Sequence, residues 1–205
     1  MAVRTGRYGG LSAEERAAVR REQLIEATLE VWGRAGGPRV TMTLVCAEAG
    51  LTERYFYESF ARLDEALSAV LEQISAEITT AGLAAIASTQ GGPGERVRAA
   101  IAAYVDVITS DPRKGRVAVL EAPGWPELRA QRTGLSRSFA ALVAQEGRDL
   151  YGDLALEPRE AELNALMFIG GVQELVTAWL DGGIDASPAE IVDVATAAFT
   201  STGHR

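Results

Sequence analysis

Residues Val40 to Phe60 read VTMTLVCAEAGLTERYFYESF, and in this stretch capping, spacing and side-chain chemistry converge on one arrangement. Thr41 is placed to cap a short helix through Val45 and Ala49, Gly50 supplies a turn, and Thr52 is placed to cap a second helix through Phe56 and Phe60. The pattern is a helix-turn-helix. At about 100° per residue, Phe56 and Phe60 share one side of the second helix, whereas Arg54 and Glu58 point the other way and Tyr55 and Tyr57 lie on the flanks. Two aromatics anchor this helix, and a guanidinium, a carboxylate and two phenols face outward, as suits reading of a DNA major groove.

A long helix precedes the motif. Ser12 followed by Glu14 and Glu15 marks its start, and Leu24, Ile25, Thr28, Leu29 and Trp32 recur at helical spacing up to Gly36-Gly37-Pro38. Its apolar side covers both motif helices, so three helices share a small core. Residues 1–10, MAVRTGRYGG, are basic and Gly-rich and read as a mobile arm in which Arg4 and Arg7 contact phosphate.

From Arg20 to Leu67 the run RREQLIEATLEVWGRAGGPRVTMTLVCAEAGLTERYFYESFARLDEAL resembles the DNA-binding domain of the TetR family of transcriptional regulators, TetR/AcrR type. The features that carry the likeness are the helix ending in Gly, the Thr cap, the Ala-Gly-Leu-Thr turn, the Tyr-Phe-Tyr run and the closing Phe. The resemblance implies a homodimer on a double-stranded DNA operator, with a C-terminal helical domain that binds a small-molecule effector and dimerises. It places phosphate and base contacts on Thr43, Thr52, Arg54, Tyr55 and Tyr57. The chain departs from the common pattern at Glu53, where many members have Lys, at Glu58, where His is frequent, and at Leu63, where Lys often follows the motif. Glu53 also fits simple stabilisation of the first helical turn, worth about 0.3–1 kcal/mol. Arg54 and Glu58, four apart, can pair on the surface; alternatively Arg54 reaches guanine or phosphate while Glu58 steadies it or accepts from cytosine. Both acids therefore stand with Arg54 among the candidate DNA-facing residues.

Composition favours an all-α chain: Ala, Leu, Glu and Arg abound and alternating β patterns are scarce. The net charge of -8 is unevenly spread. Residues 1–63 carry nine Arg against eight Glu, about +1, and residues 64–205 carry eleven basic against twenty acidic side chains, about -9. The acid thus lies away from the DNA-binding part. Cys46 is the sole cysteine, which excludes an internal disulfide and reads as a small buried thiol. His204 is the sole histidine and is next to the C-terminus, so histidine-based catalysis and most metal sites have no support; no cofactor and no enzymatic role are expected. No apolar run of membrane length is read, and a cytoplasmic location is expected.

The reading divides the chain into a DNA-binding domain, 1–63, and an effector-binding and dimerisation domain, 64–205, with about nine helices in all. Asp64 to Ser88 forms a lever between them; Gln90 to Gly94 is a linker; helices follow over 95–110, 127–151 and 158–180, with a shorter one in 111–121 and a last one from Ser187-Pro188. The 158–180 helix is apolar nearly all round and requires cover on two sides. Pocket candidates are Tyr104, Trp125, Phe139, Asn164, Met167 and Phe168, suited to a largely apolar effector. Dimer candidates are Gly170, Gly171, Leu175, Trp179, Ile191, Val194 and Phe199. Function is read as ligand-responsive repression; an activator or a non-specific DNA binder would share the pattern, and an enzyme or carrier would need constellations the sequence lacks.

Overall fold

A computed structural model describes residues 12–36 and 39–202, which form helices and connecting turns without a strand among them. The arm with Arg4 and Arg7, the Gly37-Pro38 pair and His204 lie outside the described residues.

Helix α1 (Ala13–Ala35) opens on a capping box: Ser12 Oγ accepts from the Glu15 amide at 3.0 Å while the Glu15 carboxylate receives the Ser12 amide. It stops at Gly36, whose φ of 79° few other residues adopt. Helices α2 (Met42–Ala49) and α3 (Glu53–Ser59) flank Gly50, which sits in the left-handed region at φ 64°. Thr41 caps α2 through its side chain, as anticipated, but Thr52 makes no side-chain cap on α3; only its carbonyl engages, accepting from the Tyr55 and Phe56 amides. Leu24, Leu29, Trp32, Val45, Phe56 and Phe60 close into one core with Leu67, Val70 and Ile74 of α4 (Leu63–Ser88). This core thus extends past residue 63 into the first half of α4.

Helix α5 (Pro93–Ser110) begins two residues before the expected Glu95, because Pro93 suits the first helical position and Glu95 returns to the Gly92 amide. The segment 111–121 is a short α6 (Pro112–Gly115) that runs on into a wider, π-type turn over Arg116–Glu121. Helices α7 (Arg129–Tyr151), α8 (Pro158–Leu180) and α9 (Pro188–Thr202) complete the chain. A second core joins α5, α8 and α9 through Val97, Ile101, Ile108, Val176, Ile191 and Phe199. Arg98 of α5 and Asp193 of α9 form an ion pair across it. A third, alanine-rich cluster (Ala140, Ala144, Ala161, Ala165) lets α7 and α8 run close together.

Contrary to the sequence expectation, α8 is by length and composition alone apolar enough to cross a membrane, and only 11 % of its most apolar window is buried. One side packs inward through Ala161, Ala165 and Val176. The other exposes Leu163, Leu166, Met167, Gly170 and Gly171. Two-sidedness is therefore real, and one side stands uncovered within the subunit.

The two cores meet at α6. Arg113 reaches back to α1, with Nη1 2.8 Å from Glu26 and 2.9 Å from Glu30, while Nη2 lies 2.6 Å from Asp111. Lys114 pairs with Glu77 of α4 at 2.6 Å. The backbones come close enough that a Cβ on Gly33 would sit 2.9 Å from that of Arg113, and one on Gly115 would sit 2.5 Å from the Ile108 carbonyl oxygen. Val117, Ala122 and Leu128 are buried in the first core, where Trp125 meets Trp32 edge-on at 6.2 Å.

Trp32 is fully buried, so Trp32→Ala should cost about 3–5 kcal/mol in chemical denaturation; a loss below about 1 kcal/mol would contradict its place at the junction of the cores. Hydrogen bonding from Arg113 holds the Asp111 carboxyl below its ordinary 3.8. A depressed folded-state pKa gives stability that is present above the unfolded value and lost as pH falls through the folded one. Asp111→Asn should therefore lower Tm at neutral pH, and its gap to the parent should close as pH drops below the ordinary carboxylate range. A gap that stays constant with pH would contradict the ion pair's role.

Candidate nucleic-acid interface and effector cavity

The surface of α2 and α3 is built on the buried Phe56–Phe60 pair, whose centroids lie 5.6 Å apart. Because these rings face inward, Thr52, Glu53, Arg54, Tyr57 and Glu58 are exposed on α3, and Thr43 is exposed on α2. Tyr57 is 59 % exposed and stands edge-on to Phe56. Arg54 Nε donates to Glu58 at 3.0 Å, and the Arg54 side chain is 84 % exposed, so the pair costs little to open. Both readings of Arg54 are compatible: it rests on Glu58 and is free to extend.

Arg20, at the start of the run that resembles the family's DNA-binding domain, joins this surface. Its guanidinium lies 4.5 Å from the Tyr55 ring centre and 3.5 Å from the Glu58 carboxylate. Arg21 lies over Phe60 at 4.6 Å. The signal was present: Arg20 and Arg21 stand four residues before Leu24 and Ile25, so they continue the core-facing side of α1 beyond the core and land on the rings of α3. Tyr55 is accordingly half-buried under Arg20, not an open phenol like Tyr57. Glu58 is flanked by two arginines, which offsets the charge that its position would otherwise bring to the surface. Cys46 is buried behind α2, and desolvation, with a smaller contribution from Glu53, pushes its thiol pKa up, as for a structural thiol.

A cavity of about 740 Å³ lies between α4, α5, the Arg116–Glu121 turn, α7 and α8. Its walls are aliphatic (Leu71, Ile74, Ile78, Ile101, Val119) with Phe139 and Phe168 contributing rings. Tyr104 also lines it, and desolvation lifts the phenol pKa to about 12. Tyr104, Phe139 and Phe168 thus line one cavity. Three other candidates do not. Trp125 packs in the first core against Trp32, because the turn at Pro123–Pro126 folds toward α1. Asn164 borders a separate recess of about 30 Å³, and Met167, 61 % exposed, lies on the outer side of α8. Gln173, opposite Asn164 on the helix, faces the main cavity and donates to Ser136 at 3.3 Å.

The dimer candidates divide in the same way. Gly170, Gly171 and Val194 are exposed. Ile191 and Phe199 are buried in the subunit's own second core, so they are core residues rather than partner-facing ones. Leu175 and Trp179 turn inward too; the Trp179 indole donates to the Ala186 carbonyl at 2.8 Å and closes the loop before α9. Helical periodicity located the apolar sides but not the neighbours that cover them. Among the described residues no group of three acidic, His or Cys side chains is placed to hold a metal ion.

No protein-family model and no curated protein matches the chain. Solved structures do. The fatty acid degradation regulator FadR from Bacillus halodurans superposes with a TM-score of 0.74 at 17% identity, over 91% of this chain and 97% of that one. A TetR-family transcriptional regulator from Streptomyces coelicolor gives 0.69 at 20% identity, over 94% and 83%. The multidrug binding protein EbrR, solved with imidazole, gives 0.64 at 18% identity, over 87% and 94%. From its helix-turn-helix head to its C-terminal helices, this chain has the fold of the TetR-type transcriptional regulators.

Proposed function

We propose that the chain is a homodimeric DNA-binding transcriptional regulator, a repressor released from a near-palindromic operator when a small, largely apolar effector enters the cavity. The observation that carries this reading is the pairing of an outward α3, held by two buried rings, with a largely apolar cavity that shares α4 and the Arg116–Glu121 turn with the core behind it. FadR and EbrR, which share the fold, are named for a regulator of fatty acid degradation and a multidrug binder, in keeping with an apolar effector. Thr43, Arg54 and Tyr57 are the residues best exposed for phosphate or base contact, Thr52 offers an uncommitted hydroxyl, and Arg4 and Arg7 of the N-terminal arm add phosphate contacts. The protein works on DNA and so in the cytoplasm.

The partner is a second copy through the outer side of α8 and α9. Leu163, Leu166 and Met167 form an apolar stripe beside Gly170 and Gly171, and Val194 of α9 is 56 % exposed. No side chain of the subunit comes within 4 Å of a Cβ placed on either glycine, so the flat patch is open to close approach by a facing helix. A bilayer is a poorer occupant, because the opposite side of α8 is packed into the subunit and Glu162 and Glu174 border the stripe.

In the ligand-free dimer the two α3 helices stand about 34–36 Å apart, one turn of DNA. An effector that prefers another conformer supplies a coupling of about 1–3 kcal/mol, enough to spoil that spacing.

Arg54→Ala should weaken operator binding by about 1–3 kcal/mol in fluorescence anisotropy while light scattering still reports a dimer; unchanged affinity would refute a base or phosphate contact. Met167→Asp should convert the dimer to a folded monomer at micromolar concentration. A variant that stays dimeric would move the interface elsewhere.

A further inference from the structure

The cavity wall is apolar except for a few groups, and one of them is out of place. Arg132 of α7 lines the cavity and is partly buried, yet among the described residues it has neither an ion pair nor a hydrogen bond with the protein. A partly desolvated guanidinium with no partner is costly, since a buried charge normally finds an opposite one.

Its setting adds to the cost. Arg129 stands three residues earlier on the same helix, and both arginines lie in the opening turns of α7, the positive end of its dipole, where acids are the favourable residues. That first turn has no acid and no capping side chain. Desolvation, and then repulsion from Arg129, accordingly lower the pKa of Arg132. Within the helix itself, Arg129 and Arg132 put positive charge where fold stability alone would avoid it, and the nearest acid, Glu127, lies in the turn before it. The acids that line the same cavity do not cancel it. Glu146 is fourteen residues further along α7, about 21 Å at 1.5 Å per residue, and Glu174 and Asp181 are exposed at the rim. Tyr104 gives the cavity a second hydrogen-bond donor with no bond to the protein among the described residues.

We infer that the effector is an amphipathic anion: an apolar body that fills the space between α4, α5 and α8, with an anionic head received by Arg132. A carboxylate suits the planar guanidinium, which can give it two parallel hydrogen bonds in surroundings where water competes poorly. This inference rests on the reading of the cavity as the effector site and narrows the effector's chemistry.

The test is calorimetric titration of the full chain, without DNA, with three probes of one chain length: dodecanoate, dodecanol and dodecylamine. Dodecanoate should bind at least tenfold more tightly than dodecanol, and dodecylamine should bind most weakly. In Arg132→Gln the advantage of dodecanoate over dodecanol should vanish; Arg132→Lys should keep part of it. Equal affinity for the three probes, tighter binding of the amine, a preference that survives Arg132→Gln, or no binding of any probe would each overturn the proposal. The comparison of probes on the unaltered chain decides the matter even if the Gln variant does not fold. Because DNA is absent, failure of operator binding would overturn the regulator reading and leave the head-group preference standing or falling by itself.

Discussion

The ion-pair cluster around Arg113 is the contact on which the rest of this molecule depends. One guanidinium binds Glu26 and Glu30 of α1 together with Asp111 at the start of its own helix, and so fastens the four-residue α6 across the back of the helix-turn-helix head. The six residues that follow serve two masters. Val117 is sealed in the first core, whereas Ala118, Val119 and Leu120 face the cavity. Since packed cores respond to added volume by shifting rather than compressing, pressure on the second set reaches the first through one turn of backbone. That turn is of the wider π type, a departure from regular α-helical hydrogen bonding. Helix α4 provides a parallel route, with Leu67 and Val70 in the head and Ile78 and Leu83 at the cavity.

How much of this was legible in the sequence follows from how local each cause is. The Ser12–Glu15 box, the Thr41 cap, Gly50 and the Phe56–Phe60 spacing act over three or four residues, and each could be read directly. Helix limits at Ser88, Leu180 and Pro188 were equally legible, because Pro, Gly and acid clusters mark them. The Arg113 cluster was not, since it joins residues 83 and 87 positions apart, and nothing in PRKGRVAVLE announces a π-type turn. Trp125, Met167, Ile191 and Phe199 were recognised as apolar and assigned to the wrong neighbour. Periodicity gives the direction of a side chain around its own helix, and the identity of what covers it is a property of the whole fold. Arg132 shows the limit most clearly: a single Arg among twenty basic residues becomes informative only once its surroundings are known to be apolar and its partner absent.

Charge and apolar surface divide the labour between the two ends. The head carries little net charge, and Glu58 is held between Arg20 and Arg54, so α3 presents shape and hydrogen-bonding groups more than raw positive potential. On the proposed function, affinity for a polyanion depends on engaging two heads at once, for which effective concentration multiplies modest single-site binding. On that proposal the requirement falls on the outer side of α8, the helix that is by length and composition apolar enough to cross a membrane and of whose most apolar window only 11 % is buried. The proposed reading of DNA at one end is thus tied to the proposed burial of Leu163, Leu166 and Met167 at the other.

The central claim is that two copies of this chain read DNA together, with the spacing that their joined α8 and α9 helices impose. Selection of bound duplexes from a random DNA pool tests it most directly. The account predicts enrichment of a near-palindrome whose half-site centres are about 10 base pairs, or one helical turn, apart. Enrichment of a single unpaired half-site, or of no sequence above background, would contradict it.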